Sequence, residues 1–93
     1  MKIPKRIKIG AAKIKIILRD RVVYDDEDVL GTSRPSTGTI EIATKWRGAV
    51  CAEEAIADTL LHEIIHVINV NFGLQLSERQ VVGISGGLLM AIS

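Results

Sequence analysis

The sequence predicts an α+β fold, a small antiparallel sheet of three to four strands packed on two helices. Three observations carry this. The first half alternates polar and β-branched residues at period two. From residue 52 to 70 there is no glycine or proline, and apolar residues recur at steps of three and four. A second helical pattern follows Gly73. The 93 residues suffice for one domain, 1–93. With 47% hydrophobic and 25% charged residues, chain-wide disorder is excluded. Aromatic residues are only 3%, so the core must be aliphatic. A domain this small buries only about 60–65% of its unfolded surface, so a bound metal or a partner would help its stability.

The strands come first. Arg6-Ile7-Lys8-Ile9 and Lys13-Ile14-Lys15-Ile16 alternate around a hairpin-sized Gly10-Ala11-Ala12, with lysines on one face and isoleucines on the other. Residues 20–29 read as a polar connection, because Asp25-Asp26-Glu27-Asp28 has the character of a solvated loop. It lacks the spaced oxygen ligands and glycine of a calcium loop. Leu30–Ser33 and Thr39–Ala43 form a second hairpin about the turn Arg34-Pro35-Ser36-Thr37-Gly38. Residues 44–50 read as a connection carrying Trp46.

The first helix runs from about Ala52 to Val70, with Ala57, Leu60, Leu61, Ile64, Ile65 and Ile68 as its apolar stripe. Glu53 and Glu54 suit its positive end, and Gly73 is the expected C′ residue. Ser77 and Gln80 form a capping-box pattern for the second helix, whose inner face should carry Val81, Val82, Ser85, Leu88, Leu89 and Ile92. Gly83, Gly86 and Gly87 fall on its other side. Either that side packs closely on backbone, or the helix breaks near Gly86.

The net charge of +1 hides an asymmetry. Residues 1–21 hold eight Lys/Arg against one acid, whereas residues 22–63 hold nine acids against three bases. No aromatic residue interleaves with the basic segment, so its lysines read as a solvated strand face and nucleic acid is not an expected partner. Charges interrupt every apolar pair up to Ile16, so no signal peptide is expected, and no stretch is long enough to span a membrane. The single Cys51 excludes an internal disulfide and fits a reducing, cytoplasmic setting.

The chemistry concentrates in Leu61-His62-Glu63-Ile64-Ile65-His66, an H-E-x-x-H motif within the best-defined helix. One turn separates His62 from His66, so both imidazoles share a face and can reach one zinc ion. Glu63 is rotated by about 100°, away from direct ligation and toward the place of a bound water. Zinc lowers the pKa of such a water to about 7, and Glu63 is the candidate general base. A catalytic zinc takes a third protein ligand. Glu78 is the only Cys, His, Asp or Glu downstream of His66 and heads an inward face, so it is the favoured ligand; Asp58 and Glu41 stay open upstream.

The run from Leu60 to Ile92, LLHEIIHVINVNFGLQLSERQVVGISGGLLMAI, resembles the small HExxH proteins of bacteriophages and bacterial mobile elements, related to the ImmA/IrrE-type metallopeptidases. The opening KIPKRIKIG followed by hairpins is similar to them too. Gln80 and Val81 stand where the wider family has an acid and an alanine, and Ile84 where it has a phenylalanine. The resemblance implies a minimal zincin-like domain hydrolysing a protein or peptide, such as a repressor or other regulator. It implies His62, His66 and Glu78 as zinc ligands and Glu63 as the base. Thr39–Ala43 is then the strand on which extended substrate would pair. Tyr24, Arg34 or the metal alone would stabilise the oxyanion. The rival expectation is a non-catalytic metal-binding or phage structural protein that retains the helix and offers its apolar C-terminal helix to a partner.

Overall fold

The computed structural model describes residues 2–92 and has the expected α+β class. Strands β1 (Arg6–Ile9) and β2 (Ala12–Arg19) form the first hairpin. Strands β5 (Gly31–Arg34) and β6 (Thr39–Ala43) form the second. Between them lies a smaller hairpin, β3 (Val22–Tyr24) and β4 (Glu27–Val29). Another small hairpin, β7 (Lys45–Trp46) and β8 (Ala49–Val50), precedes the helices. Helix α1 spans Glu53–Phe72 and α2 spans Glu78–Ile92. No helix among the described residues is long and apolar enough to cross a membrane.

The main sheet has the order β1-β2-β6-β5 and is mixed, not wholly antiparallel. Each hairpin is antiparallel as expected, but β6 inserts between β2 and β5 and runs parallel to β2. Burial explains the insertion. Ile40 and Ile42 are fully buried, and the centre of the sheet is where both faces of a strand can be covered. Residues 20–29 and 44–50, read as connections, carry two short hairpins instead. In the first, Asp25 and Asp26 both take left-handed backbone angles (φ 53° and 63°). Two such residues make the tight turn that matches strand twist, and Asp tolerates that region better than most residues. The acidic run is therefore a turn and the start of a strand.

Parity divides the sheet. Ile7, Ile9, Ile14, Ile16, Ile40 and Ile42 face α1 and meet Leu60 and Val67 in the core. The opposite face carries Arg6, Lys8, Lys13, Lys15 and Arg19, with Thr39 and Glu41 on β6. Glu41 is nearly buried there, held by Arg19 and by Arg34 Nε at 2.6 Å. Hydrogen bonding to Arg34 and Arg19 outweighs burial and holds the Glu41 carboxyl below its ordinary value. Glu41 thus lies across the sheet from α1 and is not a metal ligand.

Helix α1 is buried more widely than one stripe allows. Ala57, Leu60 and Ile65 are buried as expected, but so are Glu63 and Val67. The sheet covers one side of α1 and α2 covers another. Gly73 ends α1 in the left-handed conformation (φ 61°), and its N–H donates to the Asn69 carbonyl. The capping box forms in both directions: Gln80 N–H donates to Ser77 Oγ at 3.1 Å, and Ser77 N–H to Gln80 Oε1 at 2.8 Å. Helix α2 buries Val81 and Ser85 but leaves Val82, Ile84, Leu88 and Ile92 exposed. It neither breaks at Gly86 nor packs on its glycine side, which faces open space.

Replacing Glu41 with Gln should cost about 1–3 kcal/mol, the usual worth of charge-assisted hydrogen bonds. A depressed carboxylate pKa contributes stability that is full above the ordinary 4.5 and is lost as pH falls through the depressed value. Denaturant melts from pH 7 to pH 3 should therefore show wild type and Glu41→Gln converging in acid. A gap that stays constant over that range would reject the assignment.

Candidate metal centre

His62 and His66 stand one turn apart on α1, and the start of α2 folds back over them. Glu78 Oε1 lies 2.8 Å from His62 Nε2, and its Oε2 lies 3.1 Å from His66 Nε2. The two Nε2 atoms are 3.0 Å apart. Among the described residues this is the one group of three His, Cys or carboxylate side chains gathered closely enough to hold an ion. The structure thus brings together the two histidines and the downstream carboxylate that the sequence singled out.

The donor set fits zinc. Tetrahedral bonds of 2.0–2.1 Å place ligand atoms about 3.3 Å apart; the two Nε2 atoms are 3.0 Å apart, and each has a different oxygen of the Glu78 carboxylate beside it, at 2.8 Å and 3.1 Å. Two imidazole nitrogens and one carboxylate oxygen are also the ligand types of His₂Glu zinc sites. The half-buried histidines and exposed Glu78 leave one side of the group open.

The turn between the helices places Glu78. Asn69, on the last part of α1, accepts the Leu76 N–H at 2.9 Å through Oδ1 and donates to the Leu76 carbonyl at 3.3 Å. Its own carbonyl accepts the N–H groups of Gly73 and Leu74. One residue therefore fastens both ends of the connector. The signal for this role in the sequence is the position of Asn69 four residues before Gly73.

Glu63 is rotated from the histidines toward the sheet and is 8% exposed. Its neighbour is edge strand β5, where the Ser33 hydroxyl and N–H face the carboxylate. Burial raises the Glu63 pKa, helped by the charge of Glu78 and opposed by His66 and Ser33. Gly31 makes this approach feasible. A Cβ built there would stand 2.5 Å from Thr59 Cγ2 and 3.3 Å from Glu63 Cγ. Beside it a cleft of about 220 Å³ opens, lined by Leu30, Gly31, Asp58, Thr59, His62 and Glu63. Asp58 thus lines the cleft and is not in the metal-ligating group.

The sequence matches no protein-family model and no curated protein, and the fold matches no solved structure.

Two expectations change on the geometry of the site. Thr39–Ala43 pairs on both sides, with β2 and β5, so it has no free edge for a substrate strand. β5 is the edge. The Ala43 N–H donates to the Leu30 carbonyl, so the alternation of an antiparallel ladder turns the Gly31 and Ser33 backbone groups outward. Arg34 is committed to Glu41 and the Val23 carbonyl on the far face, and Tyr24 does not line the cleft. Neither is placed to stabilise an oxyanion.

Gly31→Ala should destabilise the chain by about 1–3 kcal/mol, because Thr59 is stiff at χ1 and its hydroxyl already bonds the Ala55 carbonyl. Adding Thr59→Ser removes the clashing methyl and should recover most of the loss in a double-mutant cycle. Simple additivity of the two changes would contradict the contact. Asn69→Ala should cost roughly 1–2 kcal/mol and weaken zinc binding while all three ligands remain; unchanged zinc affinity would show that the connector does not position Glu78.

Proposed function

We propose that the chain is a zinc-dependent metallopeptidase of minimal size. The observation that carries this reading is the arrangement about α1. His62, His66 and Glu78 gather on one side, while buried Glu63 sits one residue away beside a cleft and a free strand edge. A zinc ion, when bound, supplies Lewis acidity toward a carbonyl and acidifies a coordinated water to a pKa of about 7. His62 and His66 hold it through Nε2, and Glu78 supplies the third donor. Three protein donors and an open side suit a catalytic site better than a closed structural one.

The remaining work falls to this chain's own groups. Glu63 receives a proton from the attacking water at its carboxylate and delivers it to the leaving amine. Burial favours this role, since a carboxyl with a raised pKa is a better proton acceptor. Ser33 orients the carboxylate from the strand side. An extended peptide lies along β5, hydrogen-bonded to the outward backbone groups of Gly31, with one side chain in the cleft lined by Leu30 and Asp58.

One observation favours a second reading, a non-catalytic metal-binding or adaptor module: the exposed Val82, Ile84, Leu88 and Ile92 of α2 form an apolar surface suited to a partner.

Zinc titration into metal-free protein decides the site. Zinc at 100 times its dissociation constant should stabilise the fold by about 2.7 kcal/mol, and His66→Ala should abolish the effect. Glu63→Gln should retain zinc and lose cleavage of an unstructured protein substrate. No zinc-dependent stabilisation removes the metal centre. Zinc binding without cleavage by wild type supports the adaptor reading, and cleavage that survives Glu63→Gln rules out Glu63 as the base.

A further inference from the structure

The far side of the sheet carries a feature that the metal centre does not use. On the outer face of the first hairpin, Arg6 lies directly opposite Lys15, and Lys8 directly opposite Lys13. Like charges in register across an antiparallel pair are destabilising. All four side chains are exposed, and none forms an ion pair among the described residues. By contrast, Arg19, Arg21, Arg34 and Lys45 all find carboxylates. Four cations without a carboxylate partner are thus gathered on one face of one hairpin. Cations two residues apart on a strand are separated by about 6.6–6.8 Å, so the four form a regular grid.

The grid borders a cleft of about 310 Å³, lined by Arg6, Lys13, Lys15, Thr37 and Thr39 among others. The Thr37 and Thr39 hydroxyls lie 2.8 Å apart at its rim. Guanidinium, ammonium and hydroxyl groups on one concave surface are the donor set that takes phosphate oxygens.

We propose that the outer face of the β1–β2 hairpin binds the phosphate backbone of double-stranded nucleic acid. The absence of aromatic residues from 1–21 argues against stacking of single-stranded bases, but phosphate contacts need none. No large apolar side chain is exposed on this part of the face, so nothing there would anchor it in a bilayer. Binding is independent of base sequence, because contacts to phosphates carry no base readout. It also leaves α1 and its cleft free on the other side of the sheet.

Fluorescence anisotropy of a labelled mixed-sequence DNA duplex tests this with the full chain. Four phosphate contacts give a log–log salt slope of about −3.6, so affinity should fall roughly 100-fold between 50 and 200 mM salt. The double variant Lys8→Glu/Lys13→Glu should shrink the slope by about two units. Lys13→Glu alone places opposite charges across the hairpin, so it should raise Tm while weakening binding, which a general folding defect would not do. Lys45→Glu, away from the face, should leave affinity within about twofold, since its charge lies beyond the contacted phosphates. The proposal is overturned by absence of binding at about 100 μM protein in 50 mM salt. It is equally overturned if Lys45→Glu weakens binding as much as Lys13→Glu, or if phosphatidylserine vesicles capture the protein when the duplex does not.

Discussion

The contact on which the rest of the molecule depends is the approach of α1 to the edge strand at Gly31. Thr59 and Glu63 occupy the space that a side chain at that position would fill. This fixes both the depth and the rotation of α1. Once Glu63 is turned into the strand edge, His62 and His66 cannot face the sheet. They are directed toward the side where α2 returns. Burial of a carboxylate is costly unless it is hydrogen-bonded, and here Ser33 faces it. The helix is held by apolar packing of Leu60 and Val67 on Ile14, Ile16, Ile40 and Ile42. That packing supplies the favourable term against which the buried Glu63 is tolerated.

A second constraint is chain length. The connector between α1 and α2 is only 73–77, and it must reverse direction and still present Glu78 to the histidines. Three devices accomplish this: the left-handed Gly73, the two-sided hydrogen bonding of Asn69 to Leu76, and the reciprocal Ser77–Gln80 cap. Each satisfies backbone groups that helix ends leave unpaired. Together they turn sequence neighbours of the cap into spatial neighbours of the histidines. The two faces of the sheet likewise divide the labour. One is an aliphatic floor for α1, and the other is a charged surface on which a single carboxylate, Glu41, engages two arginines.

The two hairpins of the main sheet, both helices, the capping box and the H-E-x-x-H pair were legible because each depends on local periodicity or local hydrogen bonding. The Lys–Ile alternation of 6–16 translates directly into an outer and an inner face. The parallel pairing of β2 with β6 was not legible. Hairpin signals report only neighbours in sequence, and strand order follows from which strand gains most from burial on both faces. The small hairpin at 22–29 was hidden because an acidic run resembles a solvated loop; its signal was two adjacent aspartates able to take left-handed angles. Burial of α1 outside its apolar stripe escaped for a related reason. A helix covered by a sheet on one side and a helix on another does not have one inner face.

By itself, the sequence determined the residue chemistry: two histidines one turn apart, a carboxylate between them, a single downstream acid, and four basic residues at alternate positions of the first hairpin. These follow from composition and helical or pleated geometry, which need no knowledge of the distant chain. Only the tertiary structure decided what those residues meet. It placed Glu78 against the histidines, turned Glu63 onto β5 instead of into solvent, removed Glu41 to the far face, and made β5 the free edge in place of β6. Each of those outcomes rests on long-range burial. The cost of leaving Ile40 and Ile42 in water, and of holding any side chain between Gly31 and α1, cannot be read from a window of neighbouring residues.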